Sequence, residues 1–391
     1  MNENATPRFA EFFAGIGLMR AGLERSGWRA SFANDIDEDK WRMYQDHFGD
    51  GGEFVLGDVH GLNAGQIPDV ELATASFPCN DLSLAGARKG LAGTQSSAFW
   101  GFMSALTQLG PRKPPLVLLE NVPGFLTSHD GNDLRDALGA LNRLGYAVDV
   151  FLIDAARFVP QSRQRLFVVG VRSKQVALVN ETPRFYESEL RPGALADFIL
   201  WNSDLNWNIR KLPGLPRNTL RLESILEEVS PNSEIWWSPE RSEYLLNQMS
   251  SKHRTVADAM ISGRTTTYGT VFRRVRNGRS MAELRTDGIA GCLRTPRGGS
   301  GRQILVAAGG GAFRARLLTP RECARLMGAD DFVVKVPLNQ ALFGFGDAVC
   351  VPVIDWISRN YLLPVLEEKL FLQASPAWVR QSVRYGGVTK H

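Results

Sequence analysis

The residues of this chain whose types and spacing could do chemistry are a thiol, a carboxylate and two guanidinium groups. Each lies beside the end of an apolar run. Val70-Glu-Leu-Ala-Thr-Ala-Ser-Phe77 reads as a buried strand, and Pro78 stops it because proline has no N–H to give to a ladder. Cys79 follows at once, at the kind of strand tip where open α/β sheets hold their chemistry. Leu82 to Gln95 is glycine-containing, small and basic, the composition of a loop able to close over a ligand. A free cysteine is most often a small buried apolar residue. The company of Cys79 argues for a nucleophile instead. Pro115-Leu-Val-Leu-Leu-Glu-Asn-Val122 is a second apolar strand, ending in Glu120. Phe158-Val-Pro-Gln-Ser-Arg-Gln-Arg165 then leads into the strand Leu166–Val171, with Arg163 and Arg165 on alternate positions.

Strands and helices must alternate to bring these groups together. Arg8 to Gly17 reads as a strand running into a tight glycine turn, followed by a helix, Leu18 to Ser26, closed by Gly27. A dinucleotide fingerprint would place Gly or Ala where Arg20 stands, so an NAD site is disfavoured. The strand Ala30–Asn34 ends in Asp35, where a carboxylate can accept hydrogen bonds from ribose hydroxyls. Trp41, Tyr44 and Phe48 fall on one helical face and read as packing. The strand Glu53–Gly57 ends in Asp58, either a contact to an exocyclic amine or a turn and N-cap aspartate. A helix around Ala98 to Leu109, another carrying Leu134, Leu138 and Leu141, and a strand at Val148–Ile153 continue the pattern. The fold class expected is α/β, with a doubly wound, mainly parallel sheet.

The alternation stops near Ser173. From there to about residue 315 the chain reads as irregular, with few long helices and short strand-like pieces such as Thr270-Val-Phe272. Gly309-Gly-Gly311 reads as a hinge or turn. Thr319 and Glu322 make a capping box with Pro320 at the first helical position. Phe343 to Pro352 reads as a glycine turn into an amphipathic helix ending near Tyr361, and Gln373 to His391 as a polar tail. The expected units are residues 1–178, a smaller domain at 179–338, a return to the first unit at 339–372 and the tail at 373–391.

The chain has 391 residues, room for two domains. No apolar run reaches the length of a membrane span and the N-terminus shows no charged-then-apolar leader, so a cytoplasmic protein is expected. Cys79, Cys292, Cys323 and Cys350 form no CxxC pair, which argues against a disulfide framework or a zinc site; no metal is expected. The net charge of +4 is unevenly spread. Residues 1–180 carry 17 Lys+Arg against 20 Asp+Glu, and the remainder 28 against 21. From Arg264 to Arg302 there are nine arginines and two acids, Glu283 and Asp287. Arginine among Gly, Thr and Ser suits bidentate contact with phosphates and guanine edges, although a solvated basic face has the same composition.

In this order the pieces resemble the bacterial DNA (cytosine-5) methyltransferase family. The resemblance covers residues 8–171 and 316–356. It rests on Phe13-Ala-Gly-Ile-Gly17, Asp35, Asp58, Pro78-Cys79, Glu120-Asn-Val122, the Gln161-x-Arg-x-Arg165 run, the helix at Arg316–Met327 and Gly346-Asp-Ala-Val349. Asn80 stands where the family usually has Gln, and Gly-Asp-Ala-Val where it usually has Gly-Asn-Ser-Val. The resemblance implies a Rossmann-like methyltransferase fold with a smaller, irregular target-recognition domain. It implies S-adenosylmethionine as cofactor, held by Phe13, Gly15, Gly17, Asp35, Ile36, Asp58, Pro78, Asp347 and Ala348. It implies double-stranded DNA as partner, with a restriction–modification or self-marking role and a cognate restriction endonuclease acting on the same site. Nothing signals a membrane or a dimer, so a monomer is expected.

The residues suit that reaction. C5 of cytosine is a poor nucleophile until a thiolate adds to C6, the role for Cys79. Charge then builds toward N3, where a protonated Glu120 can donate if burial raises its pKa. Arg165 would bind O2 of the base and Arg163 would fix the loop around Cys79. The base must leave the stack first. Ser83, Arg294, Thr295 and Arg297 are the expected DNA contacts. Three readings compete: a transfer-RNA cytosine-5 methyltransferase, a catalytically dead DNA-binding regulator, and a thiol hydrolase. The last needs a histidine partner, and none of the five histidines has the motif context for it.

Overall fold

The computed structural model describes residues 6–78, 97–173, 185–276, 278–295 and 301–374. Seven strands form the main sheet: β1 (Arg8–Phe12), β2 (Arg29–Asp35), β3 (Phe54–Leu56), β4 (Leu72–Ala75), β5 (Leu116–Asn121), β6 (Tyr146–Asp154) and β7 (Gln164–Arg172). Their spatial order is β3-β2-β1-β4-β5-β7-β6. The pairs β1–β2, β2–β3, β1–β4 and β4–β5 are parallel, whereas β7 runs antiparallel to both neighbours. The chain winds outward from β1 to β3 and returns to β4 on the other side of β1. That reversal leaves a crevice beyond the strands' carboxyl ends.

Alternation along each strand feeds two cores. On β5, Leu116 and Leu118 point into one and Val117 and Leu119 into the other. The helices α1 (Leu18–Arg25) and α2 (Glu38–Phe48) follow the first two strands; α3 (Ser97–Gln108) and α4 (Asn132–Arg143) cover the second core's face. Residues 185–226 pack on this body too: α5 (Gly193–Trp201) and Trp207 join one core, Leu215, Leu222 and Ile225 the other.

The expectation of an irregular middle with few long helices is corrected from residue 239 onward. Helices α6 (Pro239–Asn247) and α7 (Ser251–Ser262) pack on an antiparallel sheet of β8 (Thr267–Arg276), β9 (Arg279–Arg285), β10 (Ile304–Gly309) and β11 (Ala312–Leu317), in the order β11-β10-β8-β9. Leu245, Leu246, Val271, Ala282, Ile304 and Val306 are its core. These elements escaped the sequence reading because α7 fully buries only Ala257 and arginines interrupt β8, β9 and β11. Gly309–Gly311 make the β10–β11 turn, with positive φ at Gly310 and Gly311.

The C-terminal part returns to the main body through α8 (Pro320–Leu326), whose Thr319–Glu322 capping box forms as expected. Two details differ from expectation. Gly344 and Gly346 lie inside a helix, α9 (Leu338–Asp347), not in a turn. The next helical stretch does not stop near Tyr361: α10 (Val351–Ile357) passes through a π turn into α11 (Leu363–Ala374). Among the described residues one stretch, Leu338–Phe371, which takes in α9, α10 and most of α11, is long and apolar enough to cross a membrane, and 67% of its apolar window is buried inside the protein.

Candidate active site

A cleft of about 460 Å³ opens at the carboxyl ends of β1 to β5, a size common for small-molecule sites. Phe13 and Gly15 line it after β1, Asp35 and Ile36 at the end of β2, Asp58 after β3, and Pro78 after β4. Glu120 at the end of β5, Arg165 on β7, and Asp347 and Ala348 at the end of α9 complete it. The turn after β1 needs left-handed backbone at Phe13 and Gly15, both with positive φ. Gly15 donates its N–H to Asp35 Oδ2 at 2.8 Å, and Asp37 N–H reaches Asp35 Oδ1 at 2.9 Å, so the carboxylate is fixed in place. Asp58 caps a short turn through His60 and is held below the usual carboxylate range by the backbone N–H and ring of His60. It is at once the N-cap aspartate and a cleft residue.

Gly17 does not line the cleft. It begins α1 with positive φ, and a Cβ there would come within 2.4 Å of Phe48 and 2.7 Å of Tyr44. Its bareness lets the aromatic face of α2 close against the turn. Asp347 is balanced by Lys40 Nζ at 2.7 Å. Burial works against the Lys40 charge, but Asp347, Asp35 and Asp37 outweigh it and raise its pKa.

Glu120 is buried, with Arg165 Nε 3.0 Å from its Oε1. Burial pushes its pKa up, and Arg165 and Arg163 only partly oppose that. Asn121 ties the neighbouring chain, its Nδ2 donating to Phe77 O at 3.3 Å. Arg163 stands behind the cleft, 2% exposed. Its Nη1 donates to Leu293 O at 2.8 Å and its Nη2 to Gly346 O and Ala348 O at 3.0 and 2.5 Å. It therefore fastens the α9 end and the 292–294 segment to the main sheet. Arg294 is exposed over the Phe272 ring, and Thr295 lies against Gly346, beside the cleft mouth. Cys79, Ser83 and Arg297 lie outside the described residues.

Four groups join the site that the sequence reading did not assign. Glu11 on β1 lines the cleft with its Oε2 buried and unpartnered, and burial lifts its pKa to about 8. The signal was a lone acid inside the apolar run Phe9-Ala-Glu-Phe-Phe13. Lys40 is the second. Gln161 is the third, fully buried, donating to Leu326 O at 2.8 Å and accepting from Leu293 N–H at 3.0 Å. Cys292, the fourth, has Arg163 Nη1 3.4 Å from its Sγ. Burial opposes its ionisation, yet Arg163, Arg165 and Arg294 prevail and lower its pKa. The orphaned Glu11 oxygen and the carboxylates of Asp35, Asp37 and Asp58, facing one lysine already paired, suit a ligand with a cationic centre and hydroxyl groups.

A sequence model of the C-5 cytosine-specific DNA methylase family matches residues 7–362. The chain is 27% identical over 357 residues to the Type II methyltransferase M.HhaI of Haemophilus parahaemolyticus, covering 90% of this chain and 93% of that one. It is 30% identical over 357 residues to the Type II methyltransferase M.NlaX of Neisseria lactamica, covering 90% and 95%. Among solved structures it is similar to the Entamoeba histolytica methyltransferase EhMeth, with a TM-score of 0.61, 16% identity, and coverage of 94% of this chain and 99% of that one.

Proposed function

The chain belongs to the C-5 cytosine-specific DNA methylase family and is a DNA (cytosine-5) methyltransferase, and from that premise we propose a thiolate-adduct mechanism on a cytosine turned out of duplex DNA. The observation that carries the proposal is Glu120, a buried carboxyl kept protonatable beside Arg165 in a cleft whose wall includes Pro78, the residue before Cys79.

A thiol of ordinary pKa near 8.5 is mostly un-ionised at neutral pH, and nearby cations favour its thiolate. The Cys79 thiolate adds to C6, and the electron pair of the C5–C6 bond moves toward N3, where the Glu120 carboxyl delivers its proton. Arg165 holds O2 and keeps the Glu120 oxygen aimed. When bound, S-adenosylmethionine supplies a methyl group on a cationic sulfur, which the activated C5 takes. Water removes the C5 proton, the C6–S bond breaks to return the thiolate, and N3 gives its proton back to Glu120. Asp35 and Asp58 would hold the hydroxyl and amine groups of the cofactor, and Glu11 its cationic end. Arg294 and Thr295 at the cleft mouth, with Ser83 and Arg297, are the proposed DNA contacts. The Type II relatives support a restriction–modification role in which a cognate endonuclease reads the same site.

The test is transfer of labelled methyl to unmethylated duplex DNA by wild type, Cys79→Ala and Cys292→Ala, with bisulfite sequencing of the product. Wild type and Cys292→Ala are expected to mark cytosines in one short context, with Cys79→Ala inert. Transfer to transfer RNA alone, or loss with Cys292→Ala in place of Cys79→Ala, would overturn the reading.

A further inference from the structure

Three arginines converge outside the cleft. Arg241 lies on α6 at the surface, with its guanidinium carbon 3.9 Å from the centroid of the Trp237 ring. Arg273 lies on β8 and Arg302 just before β10. The β8–β10 ladder begins with Val271 opposite Ile304, and Arg273 and Arg302 each lie two residues beyond that pair. Arg302 Nη2 donates to Asn339 Oδ1 at 2.8 Å, which anchors the group to the start of α9, and its Nε is buried without a partner. Among the described residues no carboxylate pairs with any of the three, although Arg274 and Arg285 on the same sheet each have one. Arg241 also borders a groove of about 560 Å³ floored by Trp236 and Trp237.

Like charges held near one another with no acid between them are unfavourable. Arg241 feels both neighbours: partial burial, then the charges of Arg273 and Arg302, lower its pKa. Convergent guanidiniums with no acid among them are what an oxyanion of fixed position requires. The aromatic ring under Arg241 orients its donors without removing its charge.

We propose that Arg241, Arg273 and Arg302 form a clasp for one backbone phosphate of the DNA, away from the base that reacts. This rests on the DNA reading above. Asn339 precedes Asp347 by eight residues, about 12 Å along α9 at 1.5 Å per residue. The clasp therefore stands at the far end of α9 from the cleft. The clasp carries no base information. It sets where the duplex lies relative to the cleft.

The experiment compares wild type with Arg241→Gln and with the double variant Arg273→Gln/Arg302→Gln, on cognate and unrelated duplexes across a salt series. Losing one phosphate contact should lower the slope of log Kd against log salt by about 0.9, an affinity loss of about tenfold at 0.1 M salt. The loss should be equal on both duplexes, with kcat at saturating DNA and the bisulfite context unchanged. Lysine at the same positions should restore most of the affinity, which separates lost charge from lost packing. A single neutral methylphosphonate, moved one step at a time along the duplex outside the target base pair, should at one position weaken wild type by a similar factor and the double variant no further. An unchanged salt slope overturns the clasp, as does a relaxed methylation context at constant slope, which would make these residues base readers. If wild type neither binds nor methylates duplex DNA, the DNA reading itself has failed. If wild type methylates DNA and the variants match it, only the clasp has.

Discussion

Glu11 and Glu120 are two buried carboxyls in one cleft, and their neighbours divide their roles. Burial raises both; Glu120 is opposed by Arg165 and Arg163, and Glu11 by Arg20 alone, with one of its oxygens buried and unpartnered. Glu11 holds its proton in the folded chain up to about pH 8, whereas the unfolded chain releases it near 4.5. The folded state then binds the extra proton between those values, so wild-type stability should fall as pH rises through that window. The limit is about 1.4 kcal/mol per pH unit for one group. Glu11→Gln should flatten the dependence of Tm on pH from 5 to 8; parallel curves for the two proteins would count against the raised pKa. A cationic ligand beside Glu11 should also expel that proton, read by calorimetry of S-adenosylmethionine binding in buffers of different ionisation enthalpy. For Glu120 the sign runs through catalysis. The donor works only while protonated, so the rate should fall as pH climbs through its raised pKa. Glu120→Gln should lower kcat by 10² to 10⁴ and abolish that alkaline limb, with Kd for DNA little changed.

At the scale of elements, α9 shows why a glycine inside a helix can be required. In an exposed helix, alanine in place of glycine would stabilise by about 1 kcal/mol. A Cβ on Gly346 would come 2.6 Å from Arg294 C and Thr295 N, backbone atoms that cannot swing aside. Gly346→Ala should therefore cost about 1 to 3 kcal/mol by overpacking and push the 294–295 segment off the cleft wall. The expected readout is a lower Tm and a raised KM for DNA. An increase in Tm with unchanged KM would mean that propensity had won. The sequence Phe343-Gly-Phe-Gly346 resembles a turn because glycine usually marks one. Its true cause is close approach of two backbones, which no local pattern reveals.

At the scale of the whole molecule, Leu305, Ala290, Leu293 and Leu318 share the main sheet's core, and a few buried polar side chains add to that junction. Gln161 reaches both Leu293 and Leu326, and Arg163 reaches Leu293, Gly346 and Ala348, so one short run before β7 ties three distant segments together. Gln161→Ala would orphan a buried N–H and a buried carbonyl, at about 1 to 3 kcal/mol for each group left unpaired. Scanning calorimetry should show a lower Tm and a second sheet that melts ahead of the first. A single transition at the wild-type Tm would show that other contacts hold the junction.

The sequence by itself determined the order of strands and helices up to β7, the strand-end positions of Glu120, Asp35 and Asp58, the capping box at Thr319 and the family. Those features are local: periodicity, turn residues and motif order write themselves in consecutive positions. Tertiary structure decided that Gly17 serves packing, that Arg163 is consumed by carbonyls more than a hundred residues away, and that one oxygen of Glu11 is buried without a partner. It also decided that Arg241 of α6, Arg273 of β8 and Arg302 ahead of β10 lie within reach of one another's charge. A side chain's partners and its desolvation depend on what the fold brings alongside it, and that information is spread over the whole chain.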